Sequence, residues 1–270
     1  MRTLITLAAT VFCLASCATN PVTGRSQLML VSEQSAIAAS KEAYVAQLAP
    51  YSERGQINSD PVLTARVLGI TEKLVAQAIT YRPETAHWDW EIKVIDDPKT
   101  LNAWAMAGGK MAFYSGLANT VNASDDEIAQ VMGHEIAHAL SAHTAEKMSV
   151  ALASDLALTG LAVASEGKGL ALSGAALAAA LAIKLPNSRT AETEADRIGI
   201  ELAAKAGYDP NAAVSLWEKM AKATSGGPPE LLSTHPASQS RIQALAALAP
   251  QMMPYYLDKG PRPVYKLSKR

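Results

Sequence analysis

The run His134-Glu135-Ile136-Ala137-His138 is the feature that most restricts what this chain can fold into. Residues four apart on an α-helix are turned only about 40° from each other, so two imidazoles at this spacing face one point. At the chain's own frequencies of His and Glu the pattern arises by chance only about 0.005 times, which makes it a specific signal. The plainer alternative is a pair of satisfied histidines on a core helix. Val131 to Leu140 is apolar nearly all round, however, and two buried rings would need partners there. A tetrahedral zinc ion, which takes imidazole nitrogen readily, is such a partner. The helix itself is well signalled. Ser124 and Glu127 form a capping box, Asp125 and Asp126 sit on the positive end of the helix dipole, and the pattern predicts helix from 125 to about 147.

A catalytic zinc takes three protein ligands and leaves its fourth position to water, so a third ligand has to be found. On a continuous helix His143 points about 180° from His134 and about 140° from His138, out of reach of the same ion. Glu146 lies roughly 12 Å along the axis from His138, also too far. Glu166 falls in the glycine-containing break Ser165 to Gly169, a poor place to fix a ligand. A metzincin would need Gly at 141 and His at 144, where this chain has Ser141 and Thr144. That class is excluded.

Ala191 to Asp196 offers something better. Glu192 and Asp196 are four apart and share a helical row with Gly199 and Ala203, whereas Glu194, Arg197, Glu201 and Lys205 make a charged row on the opposite side. Acids on the small-residue face suggest a carboxylate turned inward, at a desolvation cost that a metal would offset. An acidic first turn favoured by the dipole is the alternative. Spacing leaves open which acid would ligate and which would accept the outer N–H of a ligand histidine. His87 and His143 read as structural.

The 24 basic and 25 acidic residues give a net charge of -1 with no basic block, so nucleic acid is excluded as a partner on electrostatic grounds. The two cysteines, Cys13 and Cys17, lie too early to build a disulfide or thiolate cage in the body of the chain. Met1-Arg2, the apolar Leu4 to Phe12 and the small Ala15-Ser16 read as a signal peptide over 1–16, too short to span a bilayer. Leu14-Ala15-Ser16-Cys17 looks like a bacterial lipobox, which would place a lipid on Cys17; a plain signal peptide is the alternative. Ala18 after it resembles lipoproteins sent to the outer membrane.

The remaining divisions are a tether and N-terminal helix over 17–59, a catalytic-size domain over 60–250 and a tail over 251–270. Ser32 reads as a helix cap, and Asp60-Pro61 opens a helix to about 80. Trp88 to Val94 alternates as a strand. Asn102 to Ala107 and Lys110 to Ser115 flank Gly108-Gly109 as a hairpin. Residues 150–183 read as a helical hairpin packed by small residues, each half too short to cross a membrane. Further helices are predicted over 190–206, 210–223 and 237–248. The fold class is therefore α+β and predominantly helical, with a small antiparallel sheet.

His134 to His138, Ser188-Arg189 leading into Glu192 to Asp196, the hairpin around Asn102 to Gly116, and Thr234-His235-Pro236 through Arg241-Ile242 together resemble the zinc metallopeptidase family of HtpX and the CAAX prenyl proteases. The likeness runs over about residues 60–245 and is closest to the family's periplasmic lipoprotein branch, the LoiP-like and BepA-like peptidases. It implies a zincin-like metallopeptidase domain with one zinc ion, Glu192 as the third ligand, Asp196 supporting a ligand histidine and Glu135 as the general base. It further implies that His235 is a loop histidine able to occupy zinc's fourth position, and that the hairpin is an edge against which an extended substrate pairs. Arg241 is left between orienting an oxyanion and an ordinary surface salt bridge. The implied substrates are unfolded or misfolded envelope proteins, reached from a lipid-anchored, periplasmic position. A class rival is a chaperone-like assembly factor for outer-membrane proteins with a closed, mainly structural metal site. Intact Glu135 argues against it, because a structural site has no use for a base. The chain departs from the BepA-like peptidases in showing no helical-repeat domain after Arg241 and from the LoiP-like ones in lacking body cysteines, so neither substrate choice nor redox control carries over.

Overall fold

A computed structural model describes residues 17–163, 186–222, 230–236 and 238–267. The expected signal peptide, most of the helical hairpin over 150–183 and the loop around Gly226 to Pro229 lie outside the described residues. Strands β1 (Cys17–Thr19) and β2 (Ser26–Leu28) pair antiparallel. The stretch expected as a polar tether is instead ordered against the domain. Two of its polar residues are buried, Asn20 and Gln27, and both side chains donate to the Ser141 carbonyl, at 3.2 and 2.9 Å.

Helix α1 (Glu33–Glu53) starts where Ser32 was expected to cap it, with Ser32 Oγ accepting from Ser35 N at 3.1 Å. Helix α2 (Pro61–Tyr81) starts likewise at Asp60, whose carboxylate accepts from the backbone N–H groups of Val62 and Leu63. A proline at the first helical position loses no intrahelical bond, since that N–H has no partner in any case. The sheet follows: β3 (Glu91–Ile95), β4 (Ala103–Met106) and β5 (Lys110–Tyr114), in the order β3-β5-β4.

The expected antiparallel hairpin is present as β4 and β5, turned by Gly108 and Gly109 at φ +78° and +79°. A Cβ on Gly109 would also run into the Trp90 ring, so the turn needs glycine twice over. The β3–β5 pair is parallel, which alternation alone does not foretell. Every residue of β5 is buried because both faces are covered. Met111 and Phe113 join the main core with Leu74 of α2, while Ala112 and Tyr114 join a second cluster with Ala39 and Tyr44 of α1.

After the short α3 (Ser115–Asn119), helix α4 (Asp125–Leu140) begins with both halves of the capping box made, Glu127 N to Ser124 Oγ and Ser124 N to Glu127 Oε2. It ends earlier than expected. Ala142 takes a left-handed φ of 54°, and α5 (His143–Val163) sets off in a new direction. Helix α6 (Arg189–Ala206) is capped by Ser188 and closed by Gly207 at φ +97°. It is followed by α7 (Ala212–Lys222), α8 (Glu230–Thr234) and α9 (Gln239–Leu257), the last running beyond its expected end near 248. The last described residues return to the body: Leu267 is buried, Tyr265 N donates to Glu72 O, and Arg262 donates to carbonyls at the ends of α6 and α9. Among the described residues no helix is long and apolar enough to cross a membrane.

Helices α4 and α6 carry the residues singled out above, and they meet at two glycines. A Cβ on Gly133 would lie 2.8 Å from the Gly199 carbonyl oxygen, and one on Gly199 would lie 2.7 Å from His134 N. The backbones touch, with nothing between them. That contact brings the Glu192 and Asp196 row up against the His134 and His138 face.

Candidate metal centre

His134, His138, Glu192 and His235 are all buried, and each offers a ligand atom within 4.8 Å of the others. His134 Nε2 lies 3.1 Å from His138 Nε2 and 3.1 Å from His235 Nδ1. Glu192 stands 3.5 Å from His134 Nε2, 3.3 Å from His138 Nε2 and 2.9 Å from His235 Nδ1. A tetrahedral zinc with bonds of about 2.0–2.1 Å to nitrogen sets its ligand atoms about 3.3–3.4 Å apart, so these separations are close to the edges of its tetrahedron. The donor chemistry agrees, since three imidazoles and a carboxylate converging on one point are a donor set that zinc takes readily. The residues present therefore fit zinc.

Two of the candidate ligands, His134 and Glu192, are held in place by neighbouring groups. Asp196 lies 3.0 Å from His134 Nδ1, the ring nitrogen turned away from the cluster. A carboxylate there favours the tautomer with Nδ1–H and leaves Nε2 bare. Arg241 donates to both oxygens of Asp196, at 2.8 and 2.7 Å, and approaches Glu192 Oε2 at 2.6 Å, while its guanidinium lies 4.5 Å from the centre of the Trp217 ring. The surface salt bridge that the sequence allowed for Arg241 does not hold, because the side chain is mostly buried and paired with the two acids. His235 sits just past α8, with its N–H bonded to Leu231 O at 2.8 Å. Asn187, which sequence reasoning missed and no local signal marks, lies 3.2 Å from His235 Nδ1.

Charge in the metal-free cluster is strongly biased. Burial penalises an imidazolium at His134, but hydrogen bonds to Asp196 and Glu192 outweigh it and push its pKa up to about 10. Burial dominates at His138, whose pKa falls well below the ordinary histidine value. Glu192 is held far below the usual carboxylate range: the three histidines overcome its burial. Burial also lowers Lys147, to about 8.

Glu135 is buried beside the cluster, with Oε1 3.4 Å from His235 Nε2 and without a hydrogen bond. It lines two cavities. One is mostly apolar, with Val131, Ile200, Leu216 and Trp217 in its wall. The other includes Trp104 and Ala105 of β4 with His138, Lys147 and His235. All six sequence-selected residues thus come together: His134, Glu135, His138, Glu192, Asp196 and His235. Glu146 instead pairs with Arg25 at 2.7 Å, His87 is exposed, and Glu166 lies outside the described residues.

A buried helix presenting His-Glu-x-x-His to a carboxylate on a second helix defines a metallopeptidase of zincin type. The chain belongs to peptidase family M48, whose family model matches residues 61–249. It is 33% identical over 270 residues to the mitochondrial metalloendopeptidase OMA1 of Bos taurus, a match covering 93% of this chain and 51% of that protein. It is 37% identical over 174 residues to mitochondrial metalloendopeptidase OMA1 of Saccharomyces cerevisiae, covering 62% and 49%. With the putative beta-barrel assembly-enhancing protease of Vibrio cholerae it shares 34% identity over 220 residues, covering 78% and 44%. The chain spans about half the length of these relatives.

Proposed function

We propose that this chain is a zinc-dependent endopeptidase, held at a membrane surface by lipid on Cys17, that hydrolyses peptide bonds of unfolded or misassembled envelope proteins. The observation that carries the reading is Glu135, a buried carboxylate beside the ligand cluster that the ligand set does not need. His134, His138 and Glu192 would hold the zinc, which when bound supplies Lewis acidity to water and to the scissile carbonyl. Glu135 accepts the proton of the attacking water and returns it to the leaving amine. Asp196 keeps His134 turned toward the metal, and Arg241 holds Asp196 and Glu192 in place. His235 would be a fourth ligand in the resting protein and would have to move aside for substrate.

An extended substrate would pair along β4, whose Trp104 and Ala105 share a cavity with Glu135. That mode needs a flexible chain, which favours misfolded over compact proteins. The lipobox and signal sequence support a periplasmic position at the outer membrane, and the name of the Vibrio cholerae relative agrees with an outer-membrane setting. In this reading the peptidase domain is residues 60–250.

One observation favours the rival reading of a closed, mainly structural site: all four candidate ligands are buried together. The test is cleavage of unfolded casein by the full chain and by Glu135→Gln, both loaded with zinc. The variant is expected to bind zinc and lose at least about 100-fold in rate, the scale of general-base catalysis. Equal cleavage by the two proteins refutes the assignment of the base, and no cleavage by either favours the rival.

A further inference from the structure

The reversal at Ala142 brings His143 back onto the metal cluster that a continuous helix would have denied it. His143 is 1% exposed, and its Nδ1 lies 2.8 Å from His138 Nδ1, the ring nitrogen of His138 turned away from the other candidate ligands. The second nitrogen of His143, Nε2, lies 2.9 Å from Glu194 Oε2. Glu194 belongs to the charged row of α6 but is not free in solvent. It accepts from Thr23 Oγ1 at 2.7 Å and from Arg25 Nε and Nη2 at 3.0 and 3.1 Å. Arg25 also donates to both oxygens of Glu146, at 2.8 and 2.7 Å.

For a neutral His143 the donor and acceptor roles along this line follow from the acceptor at its far end. An ionised carboxylate only accepts, so His143 carries its proton on Nε2. A neutral imidazole has one N–H, which leaves His143 Nδ1 an acceptor. The group facing it, His138 Nδ1, must then donate, so the bare lone pair of His138 sits on Nε2, the atom aimed at His134 and Glu192. We infer that Glu194 and His143 form a positioning relay that fixes the tautomer and ring plane of His138 as Asp196 does for His134, with Arg25 clamping the relay from the N-terminal ribbon. The inference rests on the metal-site reading above. It gives the ribbon a role at the site: Asn20 and Gln27 hold the Ser141 carbonyl at the very break that turns His143 inward, and Arg25 holds the acid that orients it.

The experiment measures zinc affinity by chelator competition in the full chain, together with the melting temperature of each metal-free protein. His143→Phe keeps a buried ring without an acceptor and is expected to weaken zinc binding about 10–100-fold, the usual effect of losing a histidine's outer partner. His143→Asn restores an acceptor oxygen and is expected to recover most of that loss, and Arg25→Met to weaken binding less than His143→Phe. Tight binding by His143→Phe, or equal weakness of the Phe and Asn variants, overturns the relay. A measurement without any variant guards against misfolding: imidazole nitrogen NMR of the metal-free wild type is expected to show His143 protonated at Nε2 and His138 at Nδ1, and the reverse pattern overturns the inference. A wild-type chain that takes up no zinc overturns the underlying metal reading instead, a separately recognisable failure.

Discussion

Replacing Gly199 by alanine tests the helix crossing on which the whole site depends, because two effects predict opposite signs. Gly199 lies inside α6, where alanine is intrinsically better than glycine by about 0.5–1 kcal/mol. On propensity alone the variant should be more stable. At the crossing, however, the new Cβ would meet His134 N at 2.7 Å, His134 Cα at 2.8 Å and Gly133 C at 2.9 Å, all backbone atoms that cannot swing aside. Ordinary contact begins at 3.4 Å, so α4 and α6 must separate by about 0.5–0.7 Å, an overpacking that typically costs 1–3 kcal/mol. The net expectation is a loss of about 1–2 kcal/mol, or about 2–8 °C in melting temperature for a domain of this size. The displacement also moves Glu192 and Asp196 away from His134, so zinc affinity should fall with stability. Thermal melts of the metal-free chain and zinc titration by chelator competition read the two effects separately. A variant that melts higher than wild type and binds zinc equally well would refute the crossing as the determinant of site geometry.

Two further outcomes follow from the same geometry. In the metal-free protein the pKa of His134 is raised from 6.5 to about 10. A raised base stabilises the fold fully below its unfolded value and loses that contribution as pH rises through the folded one. With zinc bound, His134 has no such proton to lose, so the increase in melting temperature on adding zinc should grow from pH 6.5 toward 10; a constant increment across that window would refute the protonated His134. Arg241→Lys keeps the charge but cannot fork onto Asp196 while reaching Glu192. Its zinc affinity should drop about 10-fold or more, and unchanged affinity by chelator competition would show that Arg241 does not position the acids.

Much of the site was legible because its signals are local. The capping box at Ser124, the paired glycines at 108 and 109 and the four-residue spacings of His134 with His138 and Glu192 with Asp196 each act within one turn of chain. The break at Ser141-Ala142 was not legible, since no glycine or proline marks it. Its carbonyls are taken by residues far away in sequence: Arg82 donates to Leu140 O, and Asn20 and Gln27 donate to Ser141 O. For that reason His143 reads as structural from spacing yet lands against His138. The parallel pairing of β3 with β5 escaped for a related reason, because alternation says which face is buried but not which neighbour supplies the hydrogen bonds. Arg241 gave no decisive signal either. A lone arginine on an amphipathic helix shows its function only when the acids it meets are in view.

The arm that folds back after α9 has a practical consequence for anyone trimming this protein. Arg262 gathers the Ala204 and Lys205 carbonyls of one helix and the Tyr255, Tyr256 and Asp258 carbonyls of another, so a single guanidinium staples the far ends of both. Cutting the chain at about residue 258 would look harmless from the position of the histidines. It would nevertheless release the butt of the helix whose other end carries Glu192, and strip Glu72 of its partners Tyr265, Lys266 and Leu267.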